Sequence, residues 1–153
     1  MKTMIRAAEE EDAKDLALLA AKFFGQEQLE GTGLKIDGGS TERYMQEYCN
    51  LESSIFLVAI ENGEIVGSVA GMIVPWMFNA RQLISHELWW FVLPEHRGTS
   101  GARLIKAFYR ESKRRGATAV VVATSGNKEE SRVVDHYYRT GFKHLEHHFI
   151  KGV

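Results

Sequence analysis

The chain has 153 residues, 44% hydrophobic and 25% charged, with a formal net charge of −1 at pH 7, and a chain of that length buries roughly 68–70% of its unfolded surface, so residues 1–153 are expected to form a single domain with one core. The charge balance lacks the basic excess that drives nucleic-acid binding, the one cysteine, Cys49, excludes an internal disulfide framework, and no run approaches the roughly 18 apolar residues of a membrane span. The opening MKTMIRAAEEEDAKDL has no apolar signal-peptide core, so a soluble, cytoplasmic protein is expected.

In chain order, residues 3–7 predict a first strand. A helix begins at Asp12, with Leu16, Leu19, Ala20 and Phe23 at helical spacing, and stops near Gly25. The glycines from Gly25 to Gly39 predict a mobile surface loop rather than a domain boundary, because what precedes them is too short to fold alone. Ser40 and Thr41 are N-cap candidates for a second helix carrying Tyr44, Met45 and Tyr48. Ile55 to Ile60 is rich in strand formers, Asn62-Gly63 is a strong hairpin turn, and Ile65 to Ile73 is the returning strand. Pro75-Trp76-Met77-Phe78 reads as a loop before a strand from Ile84 to Leu93. Gly98 to Ala102 is a turn feeding a helix through Arg115, which Gly116 ends. Ala119 to Ala123 is nearly all apolar, as in a strand buried on both faces. Residues 129–140 predict a helix ending at Gly141, and the loose alternation from Phe142 to Ile150 predicts a last strand. Hairpins in front and a strand–turn–helix–strand unit behind predict an α/β or α+β fold, a mixed sheet covered by helices.

The segment from Glu87 to Ala123 carries the chemistry. Its strand, glycine-containing turn and helix are joined directly, so backbone N–H groups and the positive end of the helix converge on one point, a cradle for an anion such as pyrophosphate. Gly98 and Gly101 let a ligand approach the backbone, and Arg97 adds a permanent cation. The bland alternative is a glycine-rich turn that merely starts a helix. Neither a Walker A run nor a Rossmann G-x-G-x-x-G is present.

Val92-Leu-Pro-Glu-His-Arg-Gly-Thr-Ser-Gly-Ala102 resembles motif A of the GCN5-related N-acetyltransferases (GNAT), whose signature (R/Q)-x-x-G-x-(G/A) follows a strand ending V-x-P-E-(Y/H). Arg97 and Ala102 fill the signature's ends; Ser100 stands where the family usually has glycine, with Gly101 one place late. Tyr137, four residues before Gly141-Phe142, is similar to the family's motif B tyrosine, whereas Asn127 lies farther away than that motif's usual asparagine. The resemblance implies a mostly antiparallel twisted sheet with a splayed parallel strand pair and about four flanking helices. It implies transfer of acetyl from acetyl-coenzyme A, a co-substrate needing no metal, to an amine in a direct ternary complex. Backbone amides of Arg97, Gly98, Thr99, Ser100, Gly101 and Ala102 would hold the pyrophosphate, and Phe91, Val92 and Leu93 would pair with the pantetheine arm through main-chain groups the splay leaves unpaired. A backbone N–H there would face the thioester carbonyl.

Glu87 stands where the family often carries a glutamate base acting through water, and burial beside Leu88, Trp89 and Trp90 would raise its pKa; the alternative is a solvated charge. Tyr137 would protonate the departing thiolate, or else is a helix tyrosine packed on the sheet. Adjacent Tyr138 lies on another helix face. Trp76, Phe78 and Phe24 are candidates for the acceptor pocket. His144, Glu146 and His148 share one strand face, a weaker metal pattern than a solvated edge, so no metal is expected. His86 reads as a surface residue on the sheet face opposite Glu87, and Lys113-Arg114-Arg115 as a solvated face at a helix end. Cys49 lies outside the expected site, which argues against an acetyl-cysteine step. The alternative function is a non-catalytic acyl-coenzyme A sensor or interaction module of the same fold. The acceptor stays open among polyamines, antibiotics, amino acids and peptides, with Glu27, Glu30 and Asp37 a weak acidic hint. The resembled family often forms homodimers.

Overall fold

Period-2 hydrophobic patterning in the strands and one-sided apolar stripes in the helices set a sheet between two helical layers. A computed structural model describes residues 3–24, 30–124 and 130–153. Its elements run β1 (Met4–Ala7), α1 (Ala13–Phe23), α2 (Gly38–Cys49), β2 (Ser54–Glu61), β3 (Glu64–Trp76), β4 (Asn79–Val92), α3 (Thr99–Arg114), β5 (Ala117–Val121) and α4 (Glu130–Arg139). The strands lie in chain order across the five-stranded sheet, antiparallel from β1 to β4, with β5 parallel to β4 through the α3 crossover.

On one face Ala13, Leu16 and Ala20 of α1 and Met45 and Tyr48 of α2 pack over Phe56, Val58, Ala70 and Trp89. On the other, Leu104, Ile105 and Phe108 of α3 and Tyr137 of α4 cover Ile55, Ala59, Val66, Val69 and Val92. Ser112 continues the buried stripe of α3; its hydroxyl donates to the Phe108 carbonyl at 2.8 Å and lies 2.8 Å from Ser85 Oγ, whose hydroxyl can donate in return, so it is satisfied inside the core.

Four sequence expectations are corrected. Asp37, not Ser40 or Thr41, caps α2: its carboxylate accepts the Ser40 N–H at 2.7 Å, because an extended Asp37 precedes helical Gly38 and Gly39. Pro75 and Trp76 belong to β3, and the hairpin turns at Met77-Phe78. Proline is tolerated there because pairing with β2 stops at Met72 and the β3–β4 register shifts beside it. Strand β5 is not buried on both faces; its residues are partly exposed or exposed, and among the described strands it forms the sheet edge. The run from Phe142 to Ile150 forms no strand. Its apolar Leu145, Phe149 and Ile150 are exposed among histidines and charges that supply no continuous apolar face. Gly25 and Glu27 of the glycine-rich loop, residue 129 and Asn127 lie outside the described residues.

A bulge in β4 positions the site. Ala70 faces Trp89 while Gly71 faces Glu87, so Leu88 is the extra residue. The bulge breaks the alternation and brings Glu87 and Trp90, three residues apart, to the same cleft. Opposite it, a Cβ on Gly71 would collide with the His86 carbonyl and the Phe108 ring. The backbone and a fully buried ring cannot both give way, so Gly71→Ala is expected to cost at least about 2 kcal/mol, or about 4–8 °C in melting temperature. A melting temperature within about 1 °C of wild type would show that this packing relaxes.

Candidate functional site

Strands β4 and β5 part after the pair His86–Val121. From Glu87 to Val92 strand β4 is paired only with β3, leaving its other edge open. Leu93 N–H bonds to the Val66 carbonyl at 2.9 Å, and because successive residues turn their main-chain groups to opposite sides, those facing the open edge belong to Val92 and Trp90. Of the three residues the sequence suggested for this edge, Val92 therefore has the required orientation, while Phe91 and Leu93 turn toward β3. The Val92 carbonyl already accepts from Arg97 Nε at 3.2 Å.

After β4 a single 3-10 turn, Pro94–His96, leads to Arg97 and Gly98. Gly98 has φ 126° and ψ −116°, a conformation open only to glycine, and no side chain caps the helix that starts at Thr99. The unpaired amides of the first turn of α3 thus point out of its positive end. Gly101 lies against Trp90: a Cβ there would sit 3.2 Å from the indole. The Arg97 guanidinium stands 5.9 Å from the centre of the Phe91 ring.

The open edge and the helix start border a cleft of about 520 Å³. Arg97, Gly98, Gly101, Ala102, Phe91, Val92, Glu87 and Phe24 line it, whereas Leu93, Thr99, Ser100 and the buried Tyr137 do not. Trp76 and Phe78 pack edge to face, 5.5 Å apart, at the exposed tip of the β3–β4 hairpin and are not part of its lining. The apolar wall comes instead from Phe23, Phe24 and Leu88, with Phe23 edge-on to Phe24, Phe91 and Trp89 at 4.7, 5.4 and 6.3 Å.

Glu87 and Tyr137 meet at one residue. Ala123 follows β5, where the strands have separated; its N–H donates to Glu87 Oε2 at 2.9 Å, and its carbonyl accepts from the Tyr137 hydroxyl at 3.2 Å. The carboxylate takes the place of the strand pairing lost at the splay. Burial pushes Glu87 up to about 7, opposed by the Ala123 hydrogen bond. Burial, and then the charge of Glu87, push the Tyr137 phenol above its ordinary value, so it stays protonated at any working pH. Tyr138 is 55% exposed and Tyr137 only 7%, which settles which of the two faces inward.

The cleft lining holds Arg97, Arg132, Arg139 and His136 against one carboxylate, Glu87, a charge pattern suited to an anionic ligand. Arg132, His136 and Arg139 follow one another at i, i+4 and i+7 on α4, a spacing that would have marked them as one helix face in the sequence. The main-chain groups of Trp90 and Ala123 carried no such signal. Among the described residues no group of His, Cys, Asp or Glu is arranged to hold a metal ion, and no helix is long and apolar enough to cross a membrane. His148 Nε2 lies 3.1 Å from Glu146 Oε1 on the exposed tail.

The Acetyltransferase (GNAT) family model matches residues 26–142. No curated protein matches the chain in sequence. Among solved structures, an aminoglycoside acetyltransferase from an uncultured soil metagenomic sample superposes with a TM-score of 0.75 at 21% identity, over 100% of this chain and 99% of that one. The ribosomal-protein-alanine N-acetyltransferase of Brucella melitensis biovar Abortus 2308 gives 0.73 at 17% identity, covering 98% of each chain. A predicted acetyltransferase from Clostridium acetobutylicum, solved with acetyl-coenzyme A, gives 0.75 at 16% identity over 97% of this chain and 94% of that one.

Proposed function

Since this chain belongs to the GNAT acetyltransferase family, we propose that it transfers an acetyl group from acetyl-coenzyme A to a primary amine within one ternary complex. The observation that carries the reading is the meeting of three features at one cleft: the uncapped start of α3 behind Gly98, the open edge of β4, and Glu87, which Ala123 links to the buried Tyr137 just behind the lining. Aminoglycosides and ribosomal-protein alanine, named for two structural neighbours, are both amine acceptors, which supports that class here.

In this reading the amides from Gly98 to Ala102, with Arg97, bind the pyrophosphate, and the basic face of α4 adds attraction for a polyanionic co-substrate. The pantetheine arm pairs with the outward groups of Trp90 and Val92 as an added strand. Glu87, ionised, takes the proton that the ammonium acceptor must lose before it attacks. The new bond forms between the amine nitrogen and the acetyl carbon, the carbon–sulfur bond breaks, Tyr137 supplies the proton that the departing sulfur gains, the second proton shed by the nitrogen restores the phenol, and Glu87 releases the first to water. Phe23, Phe24 and Leu88 shape the acceptor end.

Titration calorimetry with acetyl-coenzyme A tests the binding half: a dissociation constant below about 1 mM is expected, in the range of ordinary enzyme substrates, with affinity falling as salt is raised. Absence of binding at millimolar ligand would refute it. A thiol-release screen over amines and peptides tests the chemistry; binding with no release on any acceptor would leave a coenzyme A thioester sensor in its place.

A further inference from the structure

The signature position at which the resembled family usually has glycine is Ser100 here, and the structure gives that serine a partner. Ser100 is buried in the first turn of α3, its side chain turned away from the cleft. Its hydroxyl donates to Glu61 Oε1 at 2.7 Å. The same oxygen accepts from the Thr3 hydroxyl at 2.8 Å, and the two hydroxyls lie 2.9 Å apart. The other carboxylate oxygen, Oε2, lies 2.9 Å from His96 Nδ1. One carboxylate at the end of β2, its side chain only 10% exposed, thus gathers donors from both sides of the cradle turn: His96 before it and Ser100 after it. Arg97, Gly98 and Thr99 lie between these two anchors.

This arrangement answers a physical need of the turn. Gly98 has no side chain to hold its shape, and glycine loses more backbone freedom on ordering than any other residue. A cradle built on it is free to sample shapes that bind no anion, and ligand binding then bears the cost of ordering it. Anchoring the residues on both sides of Gly98 removes that freedom in advance without any side chain capping the start of α3. The three donors also hold the Glu61 carboxyl at about 2, so it stays ionised across the working range.

We propose that Glu61 is a positioning residue for the co-substrate: through His96, Ser100 and Thr3 it holds the Arg97–Gly101 turn in the shape that receives the phosphate end of acetyl-coenzyme A. The inference rests on the proposed acetyl-coenzyme A site and goes beyond it by assigning a role on the far side of the turn.

The test measures coenzyme A affinity by calorimetry, KM and kcat with acetyl-coenzyme A, and the melting temperature, for wild type, Glu61→Ala and Glu61→Gln. In Glu61→Ala the dissociation constant and KM are expected to rise about tenfold while kcat at saturation stays within about twofold, as lost preorganisation predicts. Glu61→Gln keeps an oxygen for Ser100 and Thr3 and an amide opposite His96, and is expected to recover affinity to within about threefold of wild type. A folded Glu61→Ala that binds coenzyme A as tightly as wild type overturns the proposal, as does a loss confined to melting temperature and kcat. Where Glu61→Ala does not fold, Ser100→Ala, which removes a single tether, serves instead: an affinity loss of about threefold supports the role and none refutes it. Wild type that binds no coenzyme A would instead refute the proposed site itself, so the two failures are distinct.

Discussion

Tyr137→Phe is expected to lower amine-dependent thiol release at saturating acetyl-coenzyme A by about 100-fold or more, with the KM for acetyl-coenzyme A within about twofold of wild type, since a positioned proton donor contributes typically 10²–10⁴-fold. The substitution removes one oxygen and keeps the ring. That ring is held by Trp90 and Phe142, with centroids 5.8 and 5.3 Å away, so packing survives and the stability cost is about 1 kcal/mol for one hydrogen bond. The bond given up is weak: 3.2 Å to the Ala123 carbonyl is long for an O–H···O contact, whose range is about 2.5–3.0 Å. The hydroxyl therefore loses little by turning toward a departing sulfur. Its raised pKa keeps the proton in place until negative charge develops beside it. Tyr138→Phe is the matched control, because Tyr138 points to solvent; its turnover is expected within about twofold of wild type. Equal rates for wild type and Tyr137→Phe would remove the acid role and leave Tyr137 a packing residue.

The cradle from Arg97 to Ala102 was legible in the sequence because its parts are contiguous: a cation, a glycine with no Cβ, and the start of a strongly amphipathic helix. Glu87 and Tyr137 are fifty residues apart, and only the resemblance paired them. What joins them is the main chain of Ala123, and peptide groups look alike at every position of a sequence. The bulge at Leu88 was hidden for the same reason, since Glu87-Leu-Trp-Trp-Phe-Val92 reads as a regular apolar strand. Ser100 looked like a departure from the motif because its partner, Glu61, sits 39 positions away at the end of a strand, where it reads only as a charge beside a hairpin turn. Apolar composition misled in both directions. Ala119 to Ala123 reads as a strand covered on both faces, yet β5 is an edge among the described strands, and the aromatic residues around Pro75 serve an exposed hairpin tip rather than the cleft.

Glu87→Gln is expected to abolish the rise of kcat/KM through about pH 7, where the carboxyl loses its proton, and to reduce turnover at pH 8 by about 100-fold. The sign follows from the direction of the shift. Burial raises the carboxyl, so below about 7 it is protonated and cannot accept the proton of the amine; above that it is ionised and can. The acceptor's own deprotonation also speeds the reaction as pH rises, but glutamine leaves that contribution intact, so only the inflection near neutrality should vanish. The same shift has a consequence for folding that does not depend on catalysis. In the unfolded chain Glu87 ionises near 4.5, while in the folded chain it keeps its proton to about 7. Between those values the unfolded state sheds a proton that the folded state retains, so the contribution of Glu87 to stability falls as pH rises through this window and stays low above it. Glutamine does not titrate and still offers an oxygen to the Ala123 N–H. Relative to wild type, Glu87→Gln should therefore gain melting temperature from pH 5 to pH 8, by a few degrees for a difference on the order of 1 kcal/mol. A gain in melting temperature with an unaltered pH–rate profile would leave Glu87 as the carboxylate that bridges the splay, with the amine losing its proton to water; an unchanged melting difference would show that the carboxyl is not held out of water at all.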